Sequence, residues 1–310
     1  MKKYIFILIS CSLFSTLSSS QNYTKVDSIV LKYPNKFSST VKIAKQISSD
    51  FSNDFEKTRA VYTWITNNIV YDPEEYGIYN FSYSTESEFN ENKAEFEKKL
   101  SSRVISKKKA VCEGYSTLFK VICDDLNINS KVVSGNAKAH VRDIGNRYYS
   151  DHAWNIVTID NKEYLIDATW GAGTYNNGFE KKVDYFYFLT KPNLFIKQHY
   201  PDNYEDAILI EKIDKQDFLN SPLIHNYDFE LIYPISGIIN KKEVSKINFK
   251  FLTDKKVSSI SYNIDRKNYI ISNFKNENNL EFELNLSDLK NGRSLLLYFD
   301  YKPIIEFKIE

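Results

Sequence analysis

The sequence is poor in the residue types that mark several protein classes. Its 310 residues include only 3 Cys, which argues against a disulfide scaffold or a zinc ribbon. The 9 Gly exclude a collagen-like repeat. An excess of one charge is also missing, because 41 Lys and Arg stand against 40 Asp and Glu, so no basic field indicates a nucleic-acid partner. No segment offers the ~20 apolar residues of a stable membrane span. The remaining composition, 42% hydrophobic and 15% aromatic, predicts a folded protein of about two domains.

The first 20 residues predict a secretory signal peptide. Lys2 and Lys3 precede an apolar run that ends near residue 17, and small serine residues follow. Cleavage after Ser20 is expected to release an exported, nearly neutral chain into the periplasm, onto the cell surface or into the medium. A lipoprotein signal that ends at Cys11 is an alternative, although its apolar region has only about six residues.

The rest of the chain divides into two parts with different sequence patterns. Residues 53–69 and 110–128 carry helical periodicity, whereas 131–135, 152–159 and 162–169 alternate like strands. Residues 74–100 are polar and acidic and predict a long surface insertion. After residue 219, six alternating segments follow one another at short spacing, which is typical of an Ig-like antiparallel β-sandwich. We therefore predict an α+β fold, with a catalytic domain over 21–218 and an accessory β-sandwich over 219–310.

The two cysteines that follow the signal peptide lie on one predicted helix. Eleven helical residues span about 16 Å, so Cys112 and Cys123 are too far apart for a disulfide. Cys123 falls in the apolar stripe and is interpreted as a buried, inert thiol. Cys112 lies at the helix start, where unpaired backbone N–H groups and the positive end of the helix dipole stabilise a thiolate.

A predicted hairpin supplies partners for Cys112. If Asp160 and Asn161 form a two-residue turn, His152 and Asp167 become diagonal neighbours on one face of the two strands. A turn one residue longer would place them on opposite faces. Thiol, imidazole and carboxylate together are the groups that acyl transfer through a thioester requires: Cys112 as nucleophile, His152 as general base and acid, and Asp167 as the residue that orients His152. No pair of Cys and His has the spacing of metal ligands, so neither a metal nor another cofactor is expected.

These motifs resemble the transglutaminase-like superfamily of papain-type thiol enzymes. The matching stretches are AVCEGYSTLFKVICDDLNI and DHAWNIVTIDNKEYLIDATWG, in the order Cys, His, Asp, with separations of 40 and 15 residues. The resemblance covers about residues 40–205, and the predicted sandwich resembles the β-domains appended in bacterial and kyphoscoliosis-peptidase-like relatives. It implies a core in which a helix-borne Cys112 packs on an antiparallel sheet, with His152 and Asp167 in the family's catalytic positions.

Three further residues are candidates for the substrate groove. Gly114 lacks a side chain next to the thiol, so that a substrate backbone could approach closely, and Trp154 and Trp170 flank the predicted site. Core packing is the alternative for both tryptophans. His199 is interpreted as a residue of a polar loop, and Asn155 is left outside the site because it faces away from His152.

The predicted function is that of an exported thiol enzyme acting on an amide or peptide bond. The substrate would be a protein or peptide, such as one of the cell envelope, and hydrolysis is favoured slightly over transfer to an amine. Two alternatives stay open: a protein-glutamine transamidase that forms cross-links, and a non-catalytic cell-surface binding module.

Overall fold

The structure is a computed structural model that describes residues 23–77, 85–242, 245–264, 266–276, 279–285 and 292–310. The predicted signal peptide and its alternative acceptor Cys11 lie outside these residues. The α-helices are α1 (Thr24–Val30), α2 (Thr40–Asp50), α3 (Asp54–Asn68), α4 (Glu86–Lys107), α5 (Cys112–Asp125), α6 (Pro192–Phe195) and α7 (Lys215–Asn220). Short 3-10 helices cover Pro73–Glu75, Val141–Asp143, Trp170–Ala172, Tyr185–Tyr187 and Tyr204–Ala207. None of the described helices is both long and apolar enough to cross a membrane.

The strands group by position along the chain. Those before residue 202 are β1 (Val70–Tyr71), β2 (Lys109–Ala110), β3 (Asn129–Ala137), β4 (His152–Ile159), β5 (Lys162–Ile166), β6 (Gly173–Tyr175), β7 (Phe179–Lys181), β8 (Phe188–Thr190) and β9 (His199–Pro201). Those after it are β10 (Leu223–Ile224), β11 (Glu230–Tyr233), β12 (Ile238–Ile239), β13 (Lys246–Leu252), β14 (Ile260–Ile264), β15 (Lys267–Ile271), β16 (Lys275–Asn276), β17 (Asn279–Asn285), β18 (Ser294–Phe299) and β19 (Lys302–Ile309).

A five-stranded antiparallel sheet forms the frame of the first part of the chain. Its strand order is β8-β5-β4-β3-β9, so the hairpin of β4 and β5 lies at its centre. Helix α5 packs against β3 and β4 and is covered in turn by α2, α3 and α4. Its apolar stripe, which includes Leu118, Phe119 and Ile122, is fully buried. The predicted helix-on-sheet core is therefore confirmed.

Helix α3 begins and ends where its sequence predicts. The Asn53 side chain accepts hydrogen bonds from the N–H groups of Phe55 and Glu56 at 2.8 and 3.3 Å, which caps the first turn. The helix ends at Asn68, before the extended Ile69. Nine of its residues are buried, so α3 is held mainly by packing, most extensively against α1 and α5.

The described part of the predicted surface insertion over 74–100 is mostly exposed, but its second half forms a helix that the sequence did not predict. Helix α4 starts after Thr85, whose hydroxyl accepts the Glu88 N–H at 3.2 Å, and it continues to Lys107. Among its described side chains, the buried apolar ones lie in the last turns, where Leu100 is 9% and Val104 1% exposed. A helix that buries only one end shows little apolar periodicity, which is why its sequence does not resemble a helix.

The C-terminal part is a β-sandwich, as predicted. One sheet has the order β10-β19-β18-β14-β15, with β12 beside β19, and the other has the order β11-β13-β17-β16. Phe249 and Phe282 of the smaller sheet meet Leu297 and Phe307 of the larger one in a common core. All pairs are antiparallel except that of β12 with β19, which is parallel and departs from the predicted pattern. The domain boundary at 218/219 stays a prediction.

Candidate active site

Cys112 is the first residue of α5, where the sequence places it. Val111 before it is extended, and its side chain makes no capping hydrogen bond. The first N–H groups of a helix have no partner within the helix, so they face the region beside the partly exposed sulfur. Unpaired N–H groups and the positive end of the dipole are the surroundings that favour a thiolate.

An asparagine joins α5 to the sheet. The Asn155 amide nitrogen in β4 donates to the Ser116 carbonyl at 3.0 Å and lies near the Lys131 carbonyl at 3.4 Å. Asn155 is fully buried and takes no part in the contacts of His152. Because Ser116 lies one helical turn from Cys112, this bond fixes the height of the sulfur relative to β4.

The hairpin has the predicted register. Pairing runs from Ile159 opposite Lys162 to Asn155 opposite Ile166. Asp160 and Asn161 form the turn with φ of 52° and 59°, the left-handed values of a type I′ two-residue turn. β5 ends at Ile166, three residues earlier than predicted, and Asp167 follows it directly. The structure therefore brings His152 and Asp167 together, with imidazole Nε2 2.7 Å from carboxylate Oδ2.

Asp167 is held by four hydrogen-bond donors. Its Oδ2 contacts the Nε2 atoms of His152 and His199 at 2.7 and 3.0 Å. Its Oδ1 accepts the backbone N–H groups of Thr169 and Trp170 at 2.8 and 3.0 Å. The Asp167 side chain is completely buried. A buried carboxylate with this many donors is stabilised in its ionised form.

The ionisation of the pair follows from burial and charge. Burial favours the neutral imidazole, but the charge and hydrogen bond of Asp167, with a smaller contribution from Cys112, raise the pKa of His152 to about 10. Burial opposes ionisation of Asp167, yet the two histidines hold the pKa of that carboxyl well below its ordinary value. Nε2 of His152 is occupied by Asp167, which leaves Nδ1 for the Cys112 sulfur.

His199 is a site residue that the sequence reasoning missed. The prediction of a residue in a polar loop is wrong, because His199 lies on β9 and is 1% exposed. β9 pairs with β3 through Ala137, which carries the ring to Asp167 from 32 residues downstream. The sequence offers one weak signal that His199 is buried. Aromatic residues lie near it on both sides, at Phe195 and Tyr200, in a segment short enough to form an edge strand.

The three groove candidates have different surroundings. A β-carbon on Gly114 would lie 2.8 Å from Ala110 Cβ and 3.1 Å from Val104, so the missing side chain makes room for protein rather than for substrate. Trp154 is 1% exposed and packs in a core cluster, which agrees with its alternative interpretation. Trp170 remains partly exposed, with its ring centroid 5.5 Å from that of His152. Of the three candidates, only Trp170 combines exposure with a contact to the site.

Cys123 has the predicted surroundings of an inert thiol. It is completely buried in the apolar stripe of α5, and burial raises the pKa of its thiol well above the ordinary value. Both Cys112 and Cys123 are free.

His152, Asp167 and His199 also have the residue types of a metal site. Their ligand atoms lie within 4.8 Å of one another. A zinc ion would have to fit between these ligand atoms, at about 2.0–2.2 Å from each of them. Both imidazoles instead point Nε2 at the same Oδ2, at the distances of hydrogen bonds. Direct hydrogen bonding accounts for the arrangement, so the three residues do not fit a metal without moving apart.

A helix-start cysteine close to a histidine and an aspartate on an antiparallel sheet is the arrangement of the transglutaminase-like enzymes. A family model described as the transglutaminase-like superfamily matches residues 41–167, which include Cys112, His152 and Asp167. Residues 41–167 are therefore similar to the transglutaminase-like superfamily. His199 lies beyond the matched range.

Two curated relatives and a solved structure are similar to this chain. The human kyphoscoliosis peptidase is 28% identical over 223 residues, which cover 70% of this chain and 31% of that protein. The mouse kyphoscoliosis peptidase is 28% identical over 193 residues, covering 61% and 27%. A solved structure described as a TGase is 19% identical, covers 57% of this chain and 40% of its own, and has a TM-score of 0.29. The chain thus matches about a third or less of the length of these curated relatives.

Proposed function

We propose that this protein is an exported thiol enzyme that acts on an amide or peptide bond through a Cys112 thioester, with hydrolysis favoured over transfer to an amine. The observation that carries the proposal is the buried contact between His152 and Asp167, together with the interaction of Cys112 with the same imidazole. A binding module would have no need of an imidazole whose pKa is raised in contact with a free thiol.

The surroundings of His152 keep its imidazole charged. With a pKa near 10, the imidazole is protonated at neutral pH, and the Cys112 sulfur on its open side would attack as the thiolate. The thiolate would attack the substrate carbonyl and form a tetrahedral oxyanion. His152 would then donate its proton to the departing amine as the carbon–nitrogen bond breaks, leaving the acyl group on sulfur.

The second half of the cycle releases the acyl group and returns Cys112 and His152 to their starting forms. Water, or an amine in a transamidase, would give a proton to neutral His152 as it attacks the thioester carbonyl. Collapse of that intermediate releases the acid or the new amide and returns the thiolate–imidazolium pair. The backbone N–H of Cys112 is suited to stabilise both oxyanions, because it belongs to the unpaired first turn of α5.

Alkylation of Cys112 tests the proposal without a known substrate. Iodoacetamide is applied to the purified full-length protein and to its His152→Ala variant at pH 6 and 7, and each thiol is followed by peptide mass spectrometry. Cys112 is expected to react about tenfold or more faster than glutathione at pH 6, and to lose that advantage in His152→Ala. Cys123 is the internal control, because it stays unreactive while the protein is folded.

Turnover then separates the reaction types. Peptide mixtures are incubated with the protein and with Cys112→Ala, in the presence of a fluorescent primary amine. New peptide termini support the peptidase proposal, whereas incorporation of the amine into glutamine-containing peptides supports the transamidase alternative. A Cys112 that reacts no faster than glutathione and is indifferent to His152→Ala contradicts both, and favours a binding module.

A further inference from the structure

The negative charge of Asp167 is shared between two imidazoles that differ in exposure and in charge. His152 faces the partly exposed Cys112, whereas His199 is enclosed. Both approach the same carboxylate oxygen through Nε2, at 2.7 and 3.0 Å. A second imidazole on this oxygen is not required to orient His152, so its presence needs its own explanation.

The surroundings of His199 fix its ring. It stacks on Phe195 with centroids 4.0 Å apart and an interplanar angle of 19°. Trp170 lies on it at 4.4 Å, and Trp154 meets it edge-on at 5.3 Å. The absence of a side chain at Gly135 in β3 permits this packing, because a β-carbon there would lie 2.6 Å from the Trp154 ring and 2.2 Å from the Tyr200 carbonyl. The ring therefore has little freedom to turn away from Asp167.

His199 is the neutral member of the pair. Burial lowers its pKa, and the positive charge of His152 acts in the same direction, against the opposing influence of Asp167. A neutral imidazole has one N–H, and the contact with Oδ2 requires it on Nε2. Nδ1 lies near the Phe195 carbonyl and has no hydrogen-bond partner of ordinary geometry among the described residues. The contact with Asp167 is therefore the hydrogen bond that the geometry of the ring supports.

A neutral donor has a distinct effect on the His152–Asp167 pair. It stabilises the carboxylate as an anion and fixes the plane of Oδ2, but it adds no positive charge that would compete with protonated His152. We propose that His199 is a positioning residue that holds Asp167 ionised and directed at His152, and so maintains the reactive form of Cys112. This inference deepens the proposed function and rests on it.

Two substitutions separate hydrogen bonding from packing. His199→Phe keeps an aromatic ring against Phe195 and Trp170 but removes the donor. His199→Gln places an amide N–H near the position of Nε2 but removes the aromatic ring. If His199 acts through its hydrogen bond, Gln is the better replacement; if it only fills the core, Phe is the better one.

The readout is the alkylation rate of Cys112 at pH 7 in the full-length protein and in each variant, with thermal unfolding measured in parallel. We expect His199→Phe to slow alkylation about 10–100-fold, by analogy with the loss seen when the hydrogen-bond partner of a metal-binding residue is removed. His199→Gln is expected to stay within about threefold of the unaltered protein. Equal rates in the unaltered protein and His199→Phe, or a faster reaction in His199→Phe than in His199→Gln, would overturn the inference.

A second measurement needs no variant. In the protein labelled with ¹⁵N-histidine, the four histidines give a spectrum in which protonated and unprotonated ring nitrogens are distinguished. His199 is expected as the neutral form with its proton on Nε2 at pH 7; a proton on Nδ1 instead would contradict the inference. If Cys112 proves unreactive and indifferent to His152→Ala, the proposed function fails, and this spectrum still shows whether His199 donates its Nε2 proton to Asp167.

Discussion

The charge of Asp167 is predicted to determine whether His152 is protonated in the folded protein. Asp167→Asn removes that charge while keeping nearly the same shape, and its carbonyl can still accept the N–H groups of Thr169 and Trp170. The amide N–H₂ of the asparagine, however, would face the Nε2–H groups of both histidines, and two donors cannot form a hydrogen bond with each other. With burial no longer opposed by a carboxylate, the pKa of His152 should fall from about 10 to below its ordinary 6.5.

The magnitude follows from the same values. The difference between 6.5 and about 10, at 1.36 kcal/mol per pKa unit, corresponds to roughly 5 kcal/mol of stabilisation of the imidazolium in the folded state. Since the folded pKa lies above the unfolded one, this stabilisation is fully present below pH 6.5 and is lost as the pH rises toward 10. The lowered pKa of Asp167 arises from the same interaction with His152, so it contributes no separate stabilisation beyond these roughly 5 kcal/mol.

Two assays measure this effect. The titration of His152 is followed by ¹⁵N NMR between pH 5 and 10, and the free energy of unfolding is measured in urea across the same range for both proteins. The stability advantage of the original protein over Asp167→Asn should shrink between pH 6.5 and 10. Lys138, whose pKa burial lowers to about 7, affects stability in the opposite direction, but it is common to both proteins and cancels in the difference.

Two outcomes would refute this reasoning. If His152 remained protonated at pH 8 in Asp167→Asn, the carboxylate would not be the source of the raised pKa. If the stability difference did not change with pH, the folded and unfolded proteins would bind the same number of protons at this site.

Two further predictions concern the start of α5 and the N-terminus. Gly114→Ala should lower the free energy of unfolding by about 1–3 kcal/mol in urea, because contacts at 2.8 and 3.1 Å with Ala110 and Val104 outweigh the helix-propensity gain of about 1 kcal/mol; a more stable variant would show that α4 moves aside at little cost. Expression of residues 1–310 in a bacterial host should yield an exported protein whose N-terminal residue, read by mass spectrometry, is Gln21, if residues 1–20 act as the predicted signal peptide. A lipid-modified Cys11 would instead support the lipoprotein alternative.

The elements that the sequence predicts well are those with one fully buried face. Helix α5 buries its apolar stripe, strand β4 is buried at seven of its eight positions, and the cap at Asn53 marks the start of α3. Helix α4 fails this criterion. Much of its contact with the rest of the protein is ionic, as in the Lys120–Glu97 pair at 2.9 Å and the Arg103–Glu75 pair at 2.6 Å. Ion pairs leave no periodic apolar pattern, so composition alone suggests a loop.

The groove candidates illustrate a different limit. Trp154 and Trp170 both neighbour the predicted site, yet one is core and the other is partly exposed. Position along a strand predicts which face a side chain occupies, but it does not predict what covers that face. At Gly114 the covering elements are α4 and β2, and the first of these was not predicted at all.

One contact of the candidate site can be predicted from local sequence, and the other cannot. The contact between His152 and Asp167 follows from local rules, because a two-residue turn fixes the parity of the hairpin and parity fixes the shared face. His199 reaches the same carboxylate through β9 and β3, and no turn residue sets the register of that pairing. The buried carboxylate of Asp167 nevertheless requires hydrogen-bond donors. The His152 imidazole and two backbone N–H groups leave room on Oδ2 for one more donor. A buried and ionised Asp167 therefore predicts an additional buried donor, and a histidine downstream, such as His199, has the N–H group that this position requires.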